Sequence, residues 1–133
     1  MYKNKLKKKR TYKFLLIGSN GLLGSTLKKK LPKKETFLTA KNKSNLNLDL
    51  SDFKKLSKIF DKYEFKYVIN CAAITSLHDC ENNKKKTWKI NTLLPEKLSK
   101  LSKTKKFKYI HISTDHIFFS KKKNILQKIQ KLR

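Results

Sequence analysis

The chain has 133 residues, which allows one domain at most, and 38% of them are apolar, as expected of a folded protein with a core. Its formal net charge of +26 comes almost wholly from lysines spread along the chain, and since base reading favours arginine, no specific nucleic-acid interaction is predicted. No apolar run reaches the roughly 18 residues of a membrane span, so no membrane association is predicted either.

The first residues, 1–12, are basic and lack the apolar stretch of a signal peptide, so they are interpreted as a solvated tail. Cys71 and Cys80 have no nearby cysteine and histidine partners at zinc-binding spacing. We therefore expect reduced thiols, no metal site and a cytoplasmic location.

Strand and helix patterns alternate along the chain. Short apolar or alternating runs predict five strands, at 14–18, 36–40, 46–50, 66–73 and 107–113. Helical spacing of apolar residues predicts helices at 21–31, 51–63 and 83–104. The order β-α-β-β-α-β-α-β favours an α/β fold: a Rossmann-like, doubly wound parallel sheet in three α/β/α layers, incomplete at about five strands.

The predicted helices have individual features. The first has a leucine stripe made of Leu22, Leu23, Leu27 and Leu31. Ser51 is the expected N-cap of the second. The apolar stripe of the third consists of Trp88, Leu94, Leu98 and Leu101, and Pro95 is expected to kink it or start a new segment. A last amphipathic helix is suggested by Ile125, Leu126, Ile129 and Leu132.

All three glycines of the chain, Gly18, Gly21 and Gly24, lie between the first predicted strand and the first predicted helix. In that context Gly18 permits a tight turn, Gly21 lets backbone approach a phosphate, and Gly24 lets the helix pack closely. The helix N-terminus then offers N–H groups to a pyrophosphate. The alternative is a glycine-rich turn without a ligand.

Three further stretches accompany the glycine motif. They are DLSD at 49–52, VINCAAITSLHDCENN at 68–83 followed by INTLLPEKLSK, and YIHISTDHIF at 109–118. Together they resemble the extended short-chain dehydrogenase/reductases, and within these dTDP-4-dehydrorhamnose reductase and its sugar-nucleotide-modifying relatives. The resemblance covers residues 13–118, which we interpret as an NAD(P)-binding domain.

The resemblance implies a set of cofactor-binding residues. The pyrophosphate would be lined by Gly18, Ser19, Asn20, Gly21, Leu22, Leu23 and Gly24. Asp49 and Leu50 would lie beside the adenine. The nicotinamide ribose side would be lined by Cys71, Ala72, Ala73 and Thr75, with Asn91 and Ser113 nearby.

At the end of the fifth predicted strand, the resemblance places Thr114 in the position of the catalytic hydroxyl, with Thr114 and Asp115 near the substrate. His116 stands where many relatives have tyrosine, and no catalytic role is assigned to it.

Several of these residues have simpler interpretations. Asp49 could cap the following helix, Ala72 and Ala73 could be small only for packing, and Thr114 could be an ordinary hydroxyl at a strand end. Asp79 and Glu81 are expected in the first turn of a helix. Structural or solvated roles are expected for His78 and His111.

The cofactor type is indicated by the residues after the second predicted strand. No acidic residue is present there to hold a ribose 2′-hydroxyl, and Lys41 and Lys43 lie close by. NADP(H) is therefore favoured over NAD(H), with a nucleotide sugar as the substrate of the complete family enzyme.

The chain departs from the family in its last part. Family chemistry needs a tyrosine acid with a lysine four residues later, and none of the five tyrosines meets that spacing or follows Thr114. The likeness ends near Phe118, and 119–133 are interpreted as an atypical tail. We expect a frameshifted, truncated product that is inactive alone; the alternative is a short natural protein whose last helix covers the sheet edge. An exposed edge strand would favour self-association.

Four functions follow from these observations. The first is the cofactor-binding part of an NADPH-dependent reductase of 4-keto sugar nucleotides. The second is a non-catalytic nucleotide-binding partner or regulatory subunit, and the third is a fragment of a sugar-nucleotide epimerase or dehydratase. Charge alone favours the fourth, a basic nucleic-acid-binding protein.

Overall fold

The computed structural model describes residues 9–40 and 44–113. The strands are β1 (Arg10–Ile17), β2 (Thr36–Ala40), β3 (Leu46–Asn47), β4 (Tyr63–Asn70) and β5 (Lys108–His111). The α-helices are α1 (Leu22–Lys30), α2 (Phe53–Lys62), α3 (Leu77–Asn82), α4 (Lys84–Trp88) and α5 (Leu94–Lys105). A 3-10 turn lies at Lys33–Glu35 and a π-helical stretch at Lys89–Leu93.

All five strands are parallel and lie in the order β3-β2-β1-β4-β5. The central strand is β1, where Leu15 pairs with Phe37 of β2 on one side and Val68 of β4 on the other. Connections run in opposite directions on the two sides of β1, so right-handed crossovers place α1 on one face and α2 and α5 on the other. The predicted Rossmann-like α/β fold is confirmed, and the strand order reverses between β1 and β4.

The main core lies between the sheet and the helices α2 and α5. From the helices it takes Leu56, Ile59, Phe60, Leu94 and Leu98, and from the sheet Leu15, Ile17 and Val68, among others. Burying one such side chain contributes about 1.5–3 kcal/mol. Helical spacing in 51–63 predicts one apolar face made of Phe53, Leu56, Ile59 and Phe60, and the last three are buried in this core.

The amino ends of the strands are filled by rings. This aromatic cluster consists of Tyr12, Phe37, Phe60, Tyr63, Phe65 and Phe107. Ring centroids are 4.8 Å apart for Phe37 and Tyr63, and 5.2 Å apart for Phe60 and Phe107. The cluster closes that end of the sheet with apolar surface.

The first two predicted helices differ from expectation, the second in its N-cap and the first in the burial of its leucines. Asp52, not Ser51, is the N-cap of α2, because its carboxylate accepts a hydrogen bond from the Lys55 N–H at 3.1 Å. In α1 the leucine stripe is not buried: Leu22 is 93% exposed, and Gly24 is the buried residue of that helix. Close contact of α1 with the turn before it therefore depends on the glycine.

The long helix predicted over 83–104 is divided into α4, the π-helical stretch and α5. Pro95 lies in the first turn of α5, as expected of a residue that starts a new segment. The wider π turn rotates the residues before it out of register with the stripe that follows. Trp88 is accordingly 59% exposed, and its predicted place on the core stripe with Leu94 and Leu98 is wrong.

Other bounds differ by a few residues. β1 begins at Arg10, inside the segment predicted as a tail, and β3 is limited to Leu46–Asn47. α3 is not among the three predicted helix ranges, although Asp79 and Glu81 are expected in the first turn of a helix. The helix suggested by Ile125 to Leu132 lies outside the described residues. No helix within 9–40 and 44–113 is long and apolar enough to cross a membrane.

Candidate functional site

A cleft of about 600 Å³ opens at the carboxyl ends of β1, β2 and β4. Its lining comprises Gly18, Asn20, Gly21, Ala40, Leu48, Asp49, Leu50, Cys71, Ala72, Ala73, Ile74, Asp79, Asn83, Lys86 and Ile90. Open parallel sheets bind ligands at this position, where the strand order reverses. The volume is in the usual range for small-molecule sites.

Two of the three glycines are required by the chain itself. Gly18 has φ +78°, and a Cβ there would lie 2.8 Å from the Ala72 backbone nitrogen. A Cβ on Gly24 would collide with the Gly18 carbonyl oxygen. The turn between β1 and α1 can therefore approach both β4 and its own helix only with glycine at these positions.

Gly21 is different, because the surrounding chain leaves room for a side chain. A Cβ there would meet the Gly18 carbonyl oxygen at 3.5 Å, an ordinary contact, and its φ is −70°. Gly21 lines the cleft and precedes α1, whose start has no side-chain cap. A glycine here keeps the cleft open beside the backbone N–H groups of a helix N-terminus, the arrangement that binds phosphate.

The other predicted pyrophosphate residues lie outside the cleft lining. Ser19 is fully buried, and its N–H donates to the Thr39 carbonyl at 3.3 Å, so it holds the turn against β2. Leu22 and Leu23 are exposed on the first turn of α1. The structure thus brings Gly18, Asn20 and Gly21 together in the cleft and gives the remaining residues of the motif positions around it.

Asp49 lies at one end of the cleft, with Leu50 beside it. Asp49 Oδ1 accepts hydrogen bonds from Ser51 N at 2.9 Å and Ser51 Oγ at 2.8 Å. The interpretation of Asp49 as the cap of the next helix is therefore wrong, since Asp52 takes that role. Lys86 reaches over from α4, with Nζ 3.8 Å from Asp49 Oδ2.

Asn70 organises the end of β4 beneath the cleft. Its fully buried side chain accepts from the Ala72 N–H at 3.1 Å, donates to Tyr109 Oη at 3.5 Å and lies 3.3 Å from His111 Nδ1. Burial raises the pKa of the Tyr109 phenol, against the opposing effect of the Asn70 hydrogen bond, and burial lowers the pKa of His111. Asn70 was not predicted as a site residue. The signal in the sequence that could have identified it is a polar residue at the end of an apolar run.

Cys71, Ala72 and Ala73 line the cleft where β4 ends. Burial raises the pKa of the Cys71 thiol, which favours its neutral form, and both Cys71 and Cys80 are free. Small side chains at 72 and 73 leave space above the sheet. Ala72 also packs against the hydrophobic core, and its backbone lies close to Gly18. Its small side chain therefore serves packing as well as the space of the cleft.

Asn91 fixes the wall that follows β4. It lies on the π-helical stretch, where its side-chain amide accepts from Ile74 N and donates to the Ile74 carbonyl, both at 2.9 Å. Asn91 and Thr75 are both outside the cleft lining, whereas Ile74 is part of it. Asn91 therefore acts on the cleft through the Ile74 backbone.

The helical wall contains residues that the sequence did not identify as site residues. Asp79 lies in the first turn of α3, as predicted, and also faces the cleft. Glu81 lies beyond that turn and pairs with Lys84 at 3.1 Å, so its prediction is wrong. Besides Asp79, the unpredicted lining residues are Ala40, Leu48, Ile74, Asn83, Lys86 and Ile90.

The catalytic end of the predicted site is only partly described. Ser113 is exposed after β5. Thr114, Asp115 and His116 lie outside the described residues, and so do Lys41 and Lys43. Within residues 9–40 and 44–113, no group of histidine, cysteine or acidic side chains is arranged to hold a metal ion.

Comparison with known proteins gives one family. A family model described as the RmlD substrate binding domain matches residues 12–131. The match continues past Phe118, so the likeness reaches further than the motifs alone indicated.

Individual relatives agree with that family. The chain is 29% identical over 109 residues to the probable low-salt glycan biosynthesis reductase Agl14 of Haloferax volcanii, covering 76% of this chain and 36% of that protein. A dTDP-4-dehydrorhamnose reductase from Clostridium acetobutylicum has a TM-score of 0.70 and 32% identity, with 84% of this chain and 39% of that chain covered.

A dTDP-4-dehydrorhamnose reductase from Bacillus anthracis, solved in complex with NADP, superposes with a TM-score of 0.69 at 24% identity, covering 86% of this chain and 40% of that one. At that identity the similarity shows the fold alone. The chain spans about two fifths of the length of these relatives.

Proposed function

Because the chain belongs to the family of RmlD substrate binding domains, we propose that its cleft binds a nicotinamide dinucleotide, as the cofactor-binding part of a reductase acting on 4-keto sugar nucleotides. The observation that carries this proposal is Gly21. Packing within the chain does not require a glycine there, whereas a phosphate over the start of α1 would.

The residues present fit such a cofactor. Gly18, Asn20 and Gly21 would face the pyrophosphate, Asp49 and Leu50 the adenine, and the end of β4 the nicotinamide ribose. Bound NADPH would supply a hydride to a carbonyl carbon. The chain's own part is to bind and orient: Asn70 and Asn91 fix the backbone on which the nicotinamide side would rest.

We propose NADP(H) rather than NAD(H), supported by the absence of an acidic residue in the segment KNKSN that follows β2. No tyrosine of the sequence has a lysine four residues later, so we expect binding without turnover by this chain alone. The lack of a tyrosine with a lysine four residues later also supports a second candidate, a non-catalytic nucleotide-binding subunit. An epimerase or dehydratase fragment would share this half of the fold.

Titration of the purified protein with NADPH and NADH tests the proposal, followed by the fluorescence of the reduced nicotinamide. We expect saturable binding, tighter for NADPH, that survives an excess of duplex DNA. Absence of binding for both cofactors would overturn the proposal. Binding abolished by DNA and by moderate salt would instead support the basic nucleic-acid-binding function.

A turnover assay separates the candidates that share cofactor binding. With dTDP-4-keto-6-deoxyhexose and NADPH, we expect no oxidation of NADPH by the chain alone. Capture of a specific reductase by the chain would favour the non-catalytic subunit. Oxidation of NADPH above the no-protein rate would show that a proton donor other than the family's tyrosine is present.

A further inference from the structure

Three side chains, Asn70, Tyr109 and His111, form a hydrogen-bonded cluster between the carboxyl end of β4 and the neighbouring strand β5. We infer that His111 is a positioning residue of the cleft that acts only in its neutral form, so that its protonation weakens dinucleotide binding. This inference rests on the proposed function, since it needs a dinucleotide in the cleft.

Asn70 fixes the direction of the hydrogen bonds in this cluster. A backbone N–H can only donate, so the Asn70 atom that contacts the Ala72 nitrogen at 3.1 Å is the oxygen Oδ1. The amide nitrogen Nδ2 therefore points to the other side, where Tyr109 Oη lies at 3.5 Å and His111 Nδ1 at 3.3 Å. Nδ2 carries two hydrogens and accepts none, so it donates to both neighbours.

His111 must consequently accept a hydrogen bond through Nδ1. A neutral imidazole with its proton on Nε2 has a free lone pair at Nδ1, whereas a protonated imidazole carries hydrogens on both nitrogens. Protonation therefore sets an N–H of His111 against an N–H of Asn70. The exposed ring of His111 can turn towards water, but Asn70 is fully buried, so solvent does not replace the acceptor that it loses.

The Asn70 amide connects this change to the cleft. Its oxygen holds the N–H of Ala72, which lines the cleft. The same backbone nitrogen lies so close to Gly18 that a Cβ there would be 2.8 Å away. A shift of Asn70 therefore moves the cleft wall where it borders the glycine turn. His111 is outside the cleft lining, so it acts on a ligand through Asn70.

Two other ionisable groups lie next to the cluster. The Tyr109 ring is stacked on the His111 ring with centroids 6.1 Å apart, and burial raises the pKa of its phenol. Burial also raises the pKa of the Cys71 thiol, which follows Asn70 in the chain. Both groups therefore stay neutral below about pH 8, and neither titrates together with a histidine.

The helix that packs against β5 carries charged side chains as well. These are Glu96, Lys97, Lys100, Lys103 and Lys105 of α5. Burial, and none of these described charges, lowers the pKa of His111 below its usual value of about 6.5. The neutral form is therefore present above about pH 6.5, and affinity should be lost as the pH falls through the lower value.

Substitutions at His111 separate its acceptor from its titration. Asparagine carries its amide oxygen on Cγ, where histidine carries Nδ1, so His111→Asn keeps an acceptor that does not titrate. His111→Leu removes the acceptor at every pH. His78→Asn is the matched control, since His78 is exposed on α3, contacts Asn82 at 2.8 Å and lies outside the cleft lining.

The experiment is a calorimetric titration with NADP⁺, which is stable in acid, at pH 7.5, 6.5 and 5.5 after circular dichroism confirms folding. Titration of the ligand's own phosphate is common to all variants and cancels in the comparison. Between pH 7.5 and 5.5, wild type should lose about threefold to tenfold more affinity than His111→Asn.

The controls have their own expected results. His78→Asn should follow the wild-type profile. At pH 7.5, His111→Leu should bind about threefold to tenfold more weakly than wild type, and His111→Asn should bind more tightly than His111→Leu. If His111→Leu does not fold, the comparison of wild type with His111→Asn decides alone.

The outcomes distinguish the inference from the proposed function. If His111→Asn shows the wild-type pH profile, if His78→Asn flattens that profile, or if folded His111→Leu binds as tightly as wild type at pH 7.5, the inference is overturned while the proposed function stands. If wild type binds neither NADP⁺ nor NAD⁺ at pH 7.5, the proposed function fails and the inference falls with it.

Discussion

The two ends of the parallel sheet differ in the size of the side chains that they carry. At the amino ends, rings such as Phe37, Phe65 and Phe107 fill the space between strands and helices. At the carboxyl ends, Gly18, Ala72 and similarly small residues leave space for a cleft. Stability is therefore expected to depend mainly on the aromatic end, and binding on the end where side chains are small.

The largest effect is expected from Phe65→Ala in the aromatic cluster. Phe65 is buried and lies 5.6 Å from the Phe60 ring and 6.0 Å from the Phe37 ring. Its truncation should lower the free energy of unfolding by about 3–5 kcal/mol, measured by urea denaturation.

The neighbouring exposed residue provides the control for that change, since Lys66→Ala should stay within about 0.5 kcal/mol of wild type. The milder Phe65→Leu keeps enough folded protein for a titration with NADPH, and its dissociation constant should match that of wild type. A several-fold weaker affinity for NADPH in Phe65→Leu would contradict the expectation that the aromatic end affects stability and not binding.

The second prediction compares two glycines at the start of α1, of which only Gly21 lines the cleft. Gly24→Ala places a Cβ against the Gly18 carbonyl oxygen and should destabilise the protein by about 1–3 kcal/mol or more. Gly21→Ala meets no such obstacle; since Gly21 is the N-cap of α1, where alanine is less favourable than glycine, its melting temperature should fall slightly and by less than that of Gly24→Ala.

NADPH affinity should nevertheless fall in Gly21→Ala, since Gly21 lines the cleft and the proposed phosphate would approach its backbone closely. Calorimetric melting and nucleotide titration of both variants test the pair. Unchanged affinity in Gly21→Ala would show that a ligand does not approach the backbone at this glycine.

The third prediction concerns Asn70, which joins the core to the cleft. Asn70→Leu leaves the Ala72 N–H without its acceptor, and a buried orphan group costs about 1–3 kcal/mol. Because Ala72 forms part of the cleft wall, nucleotide affinity should fall as well. The exposed Asn47→Leu is the control; loss of stability without loss of affinity in Asn70→Leu would assign Asn70 to the core alone.

The smallest effect is a pH dependence from His111. Burial lowers its pKa, so below about pH 6.5 the unfolded chain takes up a proton that the folded protein binds less readily. This contribution to stability is therefore present above about pH 6.5 and lost as the pH falls through the lower folded value. Melting temperatures between pH 7.5 and 5 should decline less steeply in His111→Gln than in wild type; parallel curves would contradict the assignment.

The sequence predicted the sheet better than the helices. Strands such as β2 appear as compact apolar runs because both faces are covered, and β2 was predicted with its observed bounds. α3 is six residues long and has no buried residue, so no apolar period marks it. The π-helical stretch changes the helical phase, which is why Trp88 was placed on the wrong face.

The cleft was predictable where local geometry demands a residue type, as at Gly18 with its positive φ. It was not predictable where two distant segments meet. Nothing in the residues around Lys86 indicates Asp49 as its partner, since that contact depends on how α4 lies over the sheet. Choosing between Ser51 and Asp52 as a cap likewise required knowing that Asp49 engages Ser51.

The position of β1 between β2 and β4 also has a consequence for the order of folding. Pairing of Leu15 with Phe37 closes a short loop of the chain. Pairing of Leu15 with Val68 closes a longer loop, which contains β2, β3 and α2. Closing the longer loop costs more chain entropy, and distant contacts slow folding. Gly18 meets Ala72 only after that second pairing, so we expect nucleotide affinity to appear with the slowest refolding phase in stopped-flow fluorescence. During synthesis, the cleft cannot form until the end of β4 has left the ribosome.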